Sequence, residues 1–278
     1  MTVAEALRSI QARLHPVLGE LAGPDAELIL QHILNQSRTE LYVSSTKELD
    51  TETVGRIGKI VERRLNHEPL QYILERAFFF DREYLVNPRV LIPRPDTETL
   101  IEEVLSTEPD EPRRFADIGT GSGILASVLT GQRPTWTAVG VDISPDALET
   151  AARNCGPEVK LLCADMLSAF NQEKLFDFII SNPPYISARD MARLDRSVAQ
   201  YEPHLALYGG EDGLDFYRIL SRTAPKHLVG NGRLYLEIGY DQGESVPDLF
   251  RRDGWAGVSV QHDLAKRPRV VKAQWKIN

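Results

Sequence analysis

Phe176-Asp177-Phe178-Ile179-Ile180-Ser181-Asn182-Pro183-Pro184-Tyr185 joins an apolar run to a stiff polar corner. The first half alternates apolar residues and then continues apolar without a break, as a buried strand does. The second half is a polar residue followed by two prolines, which end the strand. Neither proline carries a backbone N–H, so carbonyls dominate the corner, and Asn182 adds a side-chain carbonyl to them. Such a corner suits a planar NH2 group held by both hydrogens. A tight proline turn that merely closes the strand is the alternative.

Outward from this stretch, strands and helices alternate from Pro95 to the C-terminus, which predicts an α/β domain with a mainly parallel sheet. The candidate strands are Arg114 to Ile118, Ala138 to Asp142, Val159 to Cys163, Phe176 to Ser181, Arg233 to Ile238, Val258 to His262 and Val270 to Trp275. Ser144-Pro145 starts a helix whose face is Leu148, Ala151, Ala152 and Cys155, and Gly156-Pro157 stops it. The last two strands are joined by a short connection and should pair antiparallel. Seven strands closed in this way form the Rossmann-like sheet of many S-adenosylmethionine (SAM)-dependent methyltransferases.

Towards the N-terminus, apolar residues recur at helical spacing in three runs. Val3, Leu7, Ile10 and Leu14 form one, and Leu28, Ile29, Ile33 and Leu34 form the next, with Gly23-Pro24 read as the turn between them. Val54, Ile57, Ile60, Val61 and Leu65 form the third, which Asp50-Thr51 can cap. We therefore expect a small all-helical domain over 1–75, a β-hairpin linker over 76–93 and the catalytic α/β domain over 94–278. In the hairpin, Phe78, Phe79 and Phe80 serve either strand packing or a partner surface.

Asp117-Ile118-Gly119-Thr120-Gly121-Ser122-Gly123 falls where a strand hands over to a helix. Its glycines permit positive φ and let a ligand lie against backbone N–H groups. The GxGxG spacing is one residue tighter than the dinucleotide fingerprint, and Asp117 would repel a pyrophosphate while attracting the ammonium and sulfonium of SAM. Asp142, about 20 residues on, can accept both ribose hydroxyls. Ile143 follows it. Asp165 and Met166 end the third strand, where an adenine edge and face would lie, with a plain strand-end or capping role for Asp165 as the alternative. The expected cofactor site is thus Asp117, Gly119, Thr120, Gly121, Ser122, Gly123, Asp142, Ile143, Asp165, Met166 and Asn182.

Methyl transfer needs a nucleophile held in line at about 3 Å. An amide or exocyclic amino nitrogen is a poor nucleophile, and two acceptors on its hydrogens both orient it and favour charge building there. Asn182 Oδ1 and the Pro183 carbonyl are assigned to that task, with Pro184 keeping the corner extended and Tyr185 offering a face to a planar group. Asn182, Pro183 and Tyr185 are the expected catalytic residues, and with Pro184 they form the expected substrate site.

Composition narrows the partners. The chain has 278 residues, 42% hydrophobic and 26% charged, with a net charge of −8. Residues 1–75 hold 8 Lys+Arg against 11 Asp+Glu, so no basic excess is gathered at that end. Nucleic-acid binding through phosphates normally needs one, which disfavours a DNA or RNA substrate. No apolar run approaches the ~20 residues of a membrane span, and the N-terminus lacks a secretion signal, so a cytoplasmic location is expected. Cys155 and Cys163 are too few for a thiolate zinc site, the six histidines lack ligand spacing, and no metal is expected.

The chain also resembles the HemK/PrmC protein-(glutamine-N5) methyltransferases. The segments that carry the resemblance are Glu68 to Ile73, Val90 to Glu98, Asp117 to Gly123, Asn182 to Tyr185, Tyr201 to Leu214, Leu236 to Gly239 and Asp263 to Val271. The resemblance implies methylation, with SAM becoming S-adenosyl-L-homocysteine, of the glutamine amide in the Gly-Gly-Gln loop of class 1 peptide-chain release factors. It further implies that the helical domain docks that protein, and a monomer is expected. An adenine amino methyltransferase on nucleic acid or a ribosomal-protein glutamine methyltransferase are the alternatives. Two departures fall in loops: the family commonly has Gly near Leu74 or Glu75, and often after Asp263-Leu264. Arg94, Glu202 and Asp212 lie in the family segments without a role that spacing assigns.

Overall fold

The computed structural model describes residues 1–276. Thr2 begins helix α1 (Val3–Leu18) with a capping box, its side chain accepting from Glu5 N while Glu5 reaches back to Thr2 N. Val3, Ala6, Ile10 and Leu14 form its buried face. The helix runs past Pro16 and stops at Gly19, whose φ of 57° an L side chain resists. The expected turn at Gly23-Pro24 is therefore misplaced. Both residues lie in the first turn of α2 (Ala22–Leu34), where a proline's missing N–H breaks no helical bond.

Ser37 and Glu40 form a second capping box on α3 (Arg38–Val43), a short helix that the apolar spacing did not announce. Asp50 accepts from Thr53 N at 2.7 Å and starts α4 (Thr51–Leu65), and α5 (Leu70–Leu74) follows. Residues 1–75 form one compact unit together with 196–201, and the remaining described residues form another. In the first unit, Tyr201 donates to the Asn66 carbonyl at 2.9 Å.

The second unit opens with the antiparallel pair β1 (Arg76–Phe79) and β2 (Arg82–Leu85), turned at Phe80 and Asp81 with positive φ at both. Alternation splits the three phenylalanines: Phe79 is 2% exposed and Phe78 is 71% exposed. Then come α6 (Glu98–Thr107), β3 (Arg114–Ile118), α7 (Ile124–Gln132), β4 (Thr137–Asp142), α8 (Pro145–Asn154), β5 (Val159–Cys163) and β6 (Phe176–Ser181). After these follow α9 (Ala188–Met191), then α10 (Arg196–Tyr201), which belongs to the first unit, and, back in the second, α11 (Asp215–His227), β7 (Leu228–Glu237), α12 (Ser245–Arg252), β8 (Ala256–His262) and β9 (Pro268–Gln274). Helix α8 buries Ala147, Thr150 and Ala151, whereas the expected Ala152 is exposed.

The seven-stranded sheet has the order β5-β4-β3-β6-β7-β9-β8. Strands β5, β4, β3, β6 and β7 pair parallel along that order, and β9 pairs antiparallel with both β7 and β8. The stretch from Phe176 is the middle strand of this order. Phe178 stacks on Phe115 with ring centroids 4.8 Å apart, and Trp136 and Tyr235 meet it edge-on. The chain leaves β3 towards β4 on one side and β6 towards β7 on the other, so the sheet has its switch point between β3 and β6. No helix among the described residues is long and apolar enough to cross a membrane.

Left-handed backbone occurs within each of the two segments noted as departures. Glu75 has φ 57° at the end of α5, and Lys266 has φ 61° in the β8–β9 turn. An L side chain there costs about 1 to 2 kcal/mol, part of which glycine gives back as unfolded-state entropy. Glu75→Gly and Lys266→Gly should each raise unfolding stability by up to about 1 kcal/mol in urea titration. A loss of stability in both variants would refute this reading of the two turns.

Candidate active site

A cavity of about 540 Å³ lies at the carboxyl ends of β3, β4, β5 and β6, within the size range of small-molecule sites. Ile118, Gly119, Thr120, Gly121, Ser122, Asp142, Ile143, Asp165, Met166, Asn182, Pro183 and Pro184 all line it. Nearly every residue expected at the site from sequence is thus gathered there. Asp117, Gly123 and Tyr185 stand behind the wall.

The loop after β3 departs from expectation in one respect. Gly119 N and Thr120 N both donate to the Val141 carbonyl, at 2.8 and 2.9 Å, and Gly123 N donates to Thr120 O at 2.8 Å. Gly121 N donates to Asp142 Oδ2 at 2.9 Å. These N–H groups are used within the protein rather than offered to a ligand. The glycines serve shape instead: Gly119, Gly121 and Gly123 have φ of 72°, 54° and 79°. A Cβ on Gly123 would also stand 2.6 Å from Cys155 Sγ.

Asp117 is fully buried beneath this loop. Its Oδ2 accepts the Thr120 hydroxyl at 2.6 Å, while Oδ1 has no hydrogen-bond partner. Burial pushes the carboxyl up to about 7, against the opposing bond from Thr120. Asp142 is half-buried and braced differently, with Oδ1 accepting from Ser144 N at 2.9 Å and Oδ2 from Gly121 N. Ile143 exposes an apolar side chain at the cavity, and Met166 adopts φ 50° beside the exposed Asp165.

On the adjacent strand, Ser181 Oγ donates to the Ile118 carbonyl at 2.6 Å. The next residue, Asn182, donates from Nδ2 to Thr97 Oγ1 at 3.4 Å. No donor among the described residues reaches Asn182 Oδ1 or the Pro183 carbonyl. Tyr185 is placed otherwise than expected. Its ring packs into the apolar core beside the sheet, and its carbonyl accepts from Gln242 Nε2 at 3.1 Å. Gly209 presses on this corner so closely that a Cβ there would come within 2.7 Å of the Pro184 carbonyl. With its backbone pinned, Tyr185 turns its hydroxyl towards Glu237, and burial first, then that carboxyl, raises the phenol far above its usual range.

Several wall residues were not among those assigned to the site from sequence. Arg94 and Thr97 line the cavity, as do Leu205, Tyr208 and Ile219. Arg94 pairs with the buried Glu202, which also accepts from Ile92 N at 3.3 Å, so the pair fixes the 92–94 segment as a wall. Asp212 stays off the cavity: it pairs with Arg218, which holds its carboxyl below the usual range. Only the family segment around Arg94 could have flagged Thr97.

Residues 5–74 match the family described as the PrmC N-terminal domain, and residues 95–211 match the methyltransferase small domain. A methyltransferase structure from Pyrococcus furiosus aligns with a TM-score of 0.52 at 17% identity, covering 82% of this chain and all of that one, which speaks to the fold alone. The release factor glutamine methyltransferase of Koribacter versatilis is 40% identical over 250 residues, 88% of this chain and 89% of its own. The protein of the same description from Geobacter sulfurreducens is 40% identical over 255 residues, 91% and 89% of the two chains. Identity at that level across nearly the whole of both sequences, on a sheet with a methyltransferase order, means that this chain belongs to the release factor glutamine methyltransferase family.

Proposed function

We propose that the chain methylates N5 of the glutamine side chain in the Gly-Gly-Gln motif of class 1 peptide-chain release factors, with SAM as donor. The observation that carries this is Asn182: Thr97 holds its Nδ2, which leaves Oδ1 and the Pro183 carbonyl as two free acceptors at the cavity wall. Two acceptors match the two hydrogens of one amide.

The cavity also fits the cofactor. Its wall is acidic at Asp142 and Asp165, apolar at Ile143 and Met166, and poor in free backbone N–H groups, which disfavours a phosphate and accepts a cationic nucleoside. Asp142 would hold the ribose hydroxyls, Ile143, Asp165 and Met166 the adenine, and Gly119 to Gly123 with Asp117 behind them the amino-acid end. When bound, SAM supplies a methyl group on a positively charged sulfur and leaves as S-adenosyl-L-homocysteine. Asn182 Oδ1 and the Pro183 carbonyl accept the two amide hydrogens, turn the nitrogen lone pair towards the methyl carbon, and stabilise positive charge as the N–C bond forms. One amide proton then departs to solvent. Tyr185, turned towards Glu237, supports the corner from behind and does not stack on the substrate. On this reading the chain acts as a monomer in the cytoplasm on a protein partner, and its net charge of −8 supports the absence of a nucleic-acid substrate.

Incubating the protein with SAM and a class 1 release factor should add one methyl mass to the Gly-Gly-Gln peptide in a tryptic digest. Methyl label on adenine in nucleic acid, with none on the release factor, would instead favour an amino methyltransferase that flips a base into the same corner. Asn182→Ala should lower kcat by about 10² to 10³, equivalent to ~2 to 4 kcal/mol, while SAM affinity by titration calorimetry holds. Unchanged kcat would sink the assigned grip.

The buried carboxyls make a separate pH prediction. Asp117 and Glu237 are each raised to about 7 in the folded chain, so between the ordinary carboxyl range near 4 and about 7 the folded state holds protons that the unfolded state has lost. Their contribution to stability is full at low pH and disappears as pH rises through about 7. Without cofactor, Tm should fall between pH 6 and pH 8, and Asp117→Asn should reduce the fall. Equal falls in both proteins would exclude Asp117 as a source.

A further inference from the structure

The two ends of a carboxamide have nearly the same shape and opposite hydrogen-bonding character, so a grip by Asn182 needs something that sets which end faces the cavity. Thr97 alone does not. It is 2% exposed and receives Asn182 Nδ2, yet a hydroxyl has one proton and two acceptor sites and could serve either end. Glu237 stands behind it at the end of β7, just past Leu236, the residue paired with Ser181. It is 1% exposed. The hydroxyls of Thr97 and Tyr185 face its carboxylate and favour the ionised form, short of a fully formed hydrogen bond, and Oε2 is left without a partner.

We propose that the Thr97 hydroxyl donates its hydrogen bond to Glu237, which leaves Thr97 only accepting towards Asn182 and so fixes Asn182 Oδ1 in the cavity. Thr97 and Glu237 are positioning residues for the transfer. This rests on Asn182 holding the substrate amide. An ionised carboxylate accepts and never donates, so it removes the ambiguity of the hydroxyl in one direction only.

The groups around Glu237 act in both senses. Burial opposes its ionisation most and pushes it up to about 7, with Asp96 adding to the rise, while Thr97, Arg269 and Tyr185 oppose them. Arg269, itself buried, is shared with Asp96 at 2.8 Å and Asp263 at 3.6 Å. Tyr217 donates to the Glu237 backbone carbonyl at 2.9 Å rather than to its side chain. A protonated Glu237 would donate to Thr97, release the Thr97 proton towards Asn182, and turn Oδ1 away from the substrate.

The test compares wild type, Thr97→Val, Thr97→Ser, Glu237→Gln, the Val/Gln double variant and Asn182→Ala on a release factor from pH 6 to 9. SAM affinity and Tm are measured for each. Thr97→Val and Glu237→Gln should each lose about ten-fold in kcat with KM and SAM affinity unchanged within about two-fold, as misorientation of a reacting group does. Thr97→Ser should recover most of the loss. The wild-type acid limb near pH 7 should vanish in Glu237→Gln, and the double variant should be no slower than the slower single, since the two act as one unit. Wild-type kcat in Thr97→Val and Glu237→Gln alongside a slow Asn182→Ala would overturn this inference and leave the amide grip standing. Wild-type kcat in Asn182→Ala would overturn both. Losses that track SAM affinity or Tm would mark a merely structural pair; if Glu237→Gln does not fold, Thr97→Val and the wild-type pH profile decide.

Discussion

The Ser181 hydroxyl on the Ile118 carbonyl, across two parallel strand ends, is the contact on which the site depends. Beyond Ile118 the chain enters the glycine loop, and beyond Ser181 it enters the Asn-Pro-Pro corner. Parallel pairing of Ile118 with Ser181 fixes both exits on the same edge and in the same register. A slip by one residue would turn Ser181 to the other face and separate donor loop from acceptor corner. The aromatic stack of Phe178 on Phe115, three residues back along each strand, locks that register from within the core.

Around this junction, the protein buries carboxyl groups where strands end. Asp117 ends beneath the loop with one oxygen unpartnered, and Glu237 ends β7 in the same condition. An unpaired buried carboxyl is costly, and both respond by holding their protons more tightly. Glu108, at 4% exposure, provides the contrast: Arg233 and Tyr235 satisfy one of its oxygens, at 2.9 and 2.7 Å. The carboxyls left short of partners are those next to the cavity and its corner.

Much of this was legible in the chain itself. The boundaries of β3, β5 and β6 follow from apolar runs, because buried parallel strands leave nothing else for those residues to do. The glycine spacing and the acids after it located one side of the cavity. Other features resisted for physical reasons. The Gly19 turn was misread because a proline at a helix start and a proline in a turn look alike without the backbone. Tyr185 was assigned to the substrate because a sequence carries no record of Gly209 and Gln242 pressing the corner from behind. Thr97 and Glu237 lie 140 residues apart, and only the fold brings them to one carboxamide.

The internal bonding of the glycine loop also bears on turnover. With the N–H groups of Gly119, Thr120, Gly121 and Gly123 already bonded within the protein, most of the loop's backbone donors need no ligand to satisfy them when a nucleoside arrives or leaves. Ordering entropy for this edge is spent once, during folding, and not again in each cycle. Exchange of spent for fresh cofactor then draws on the side chains of the wall alone, which suits a donor and a product that differ by a single methyl group and one charge.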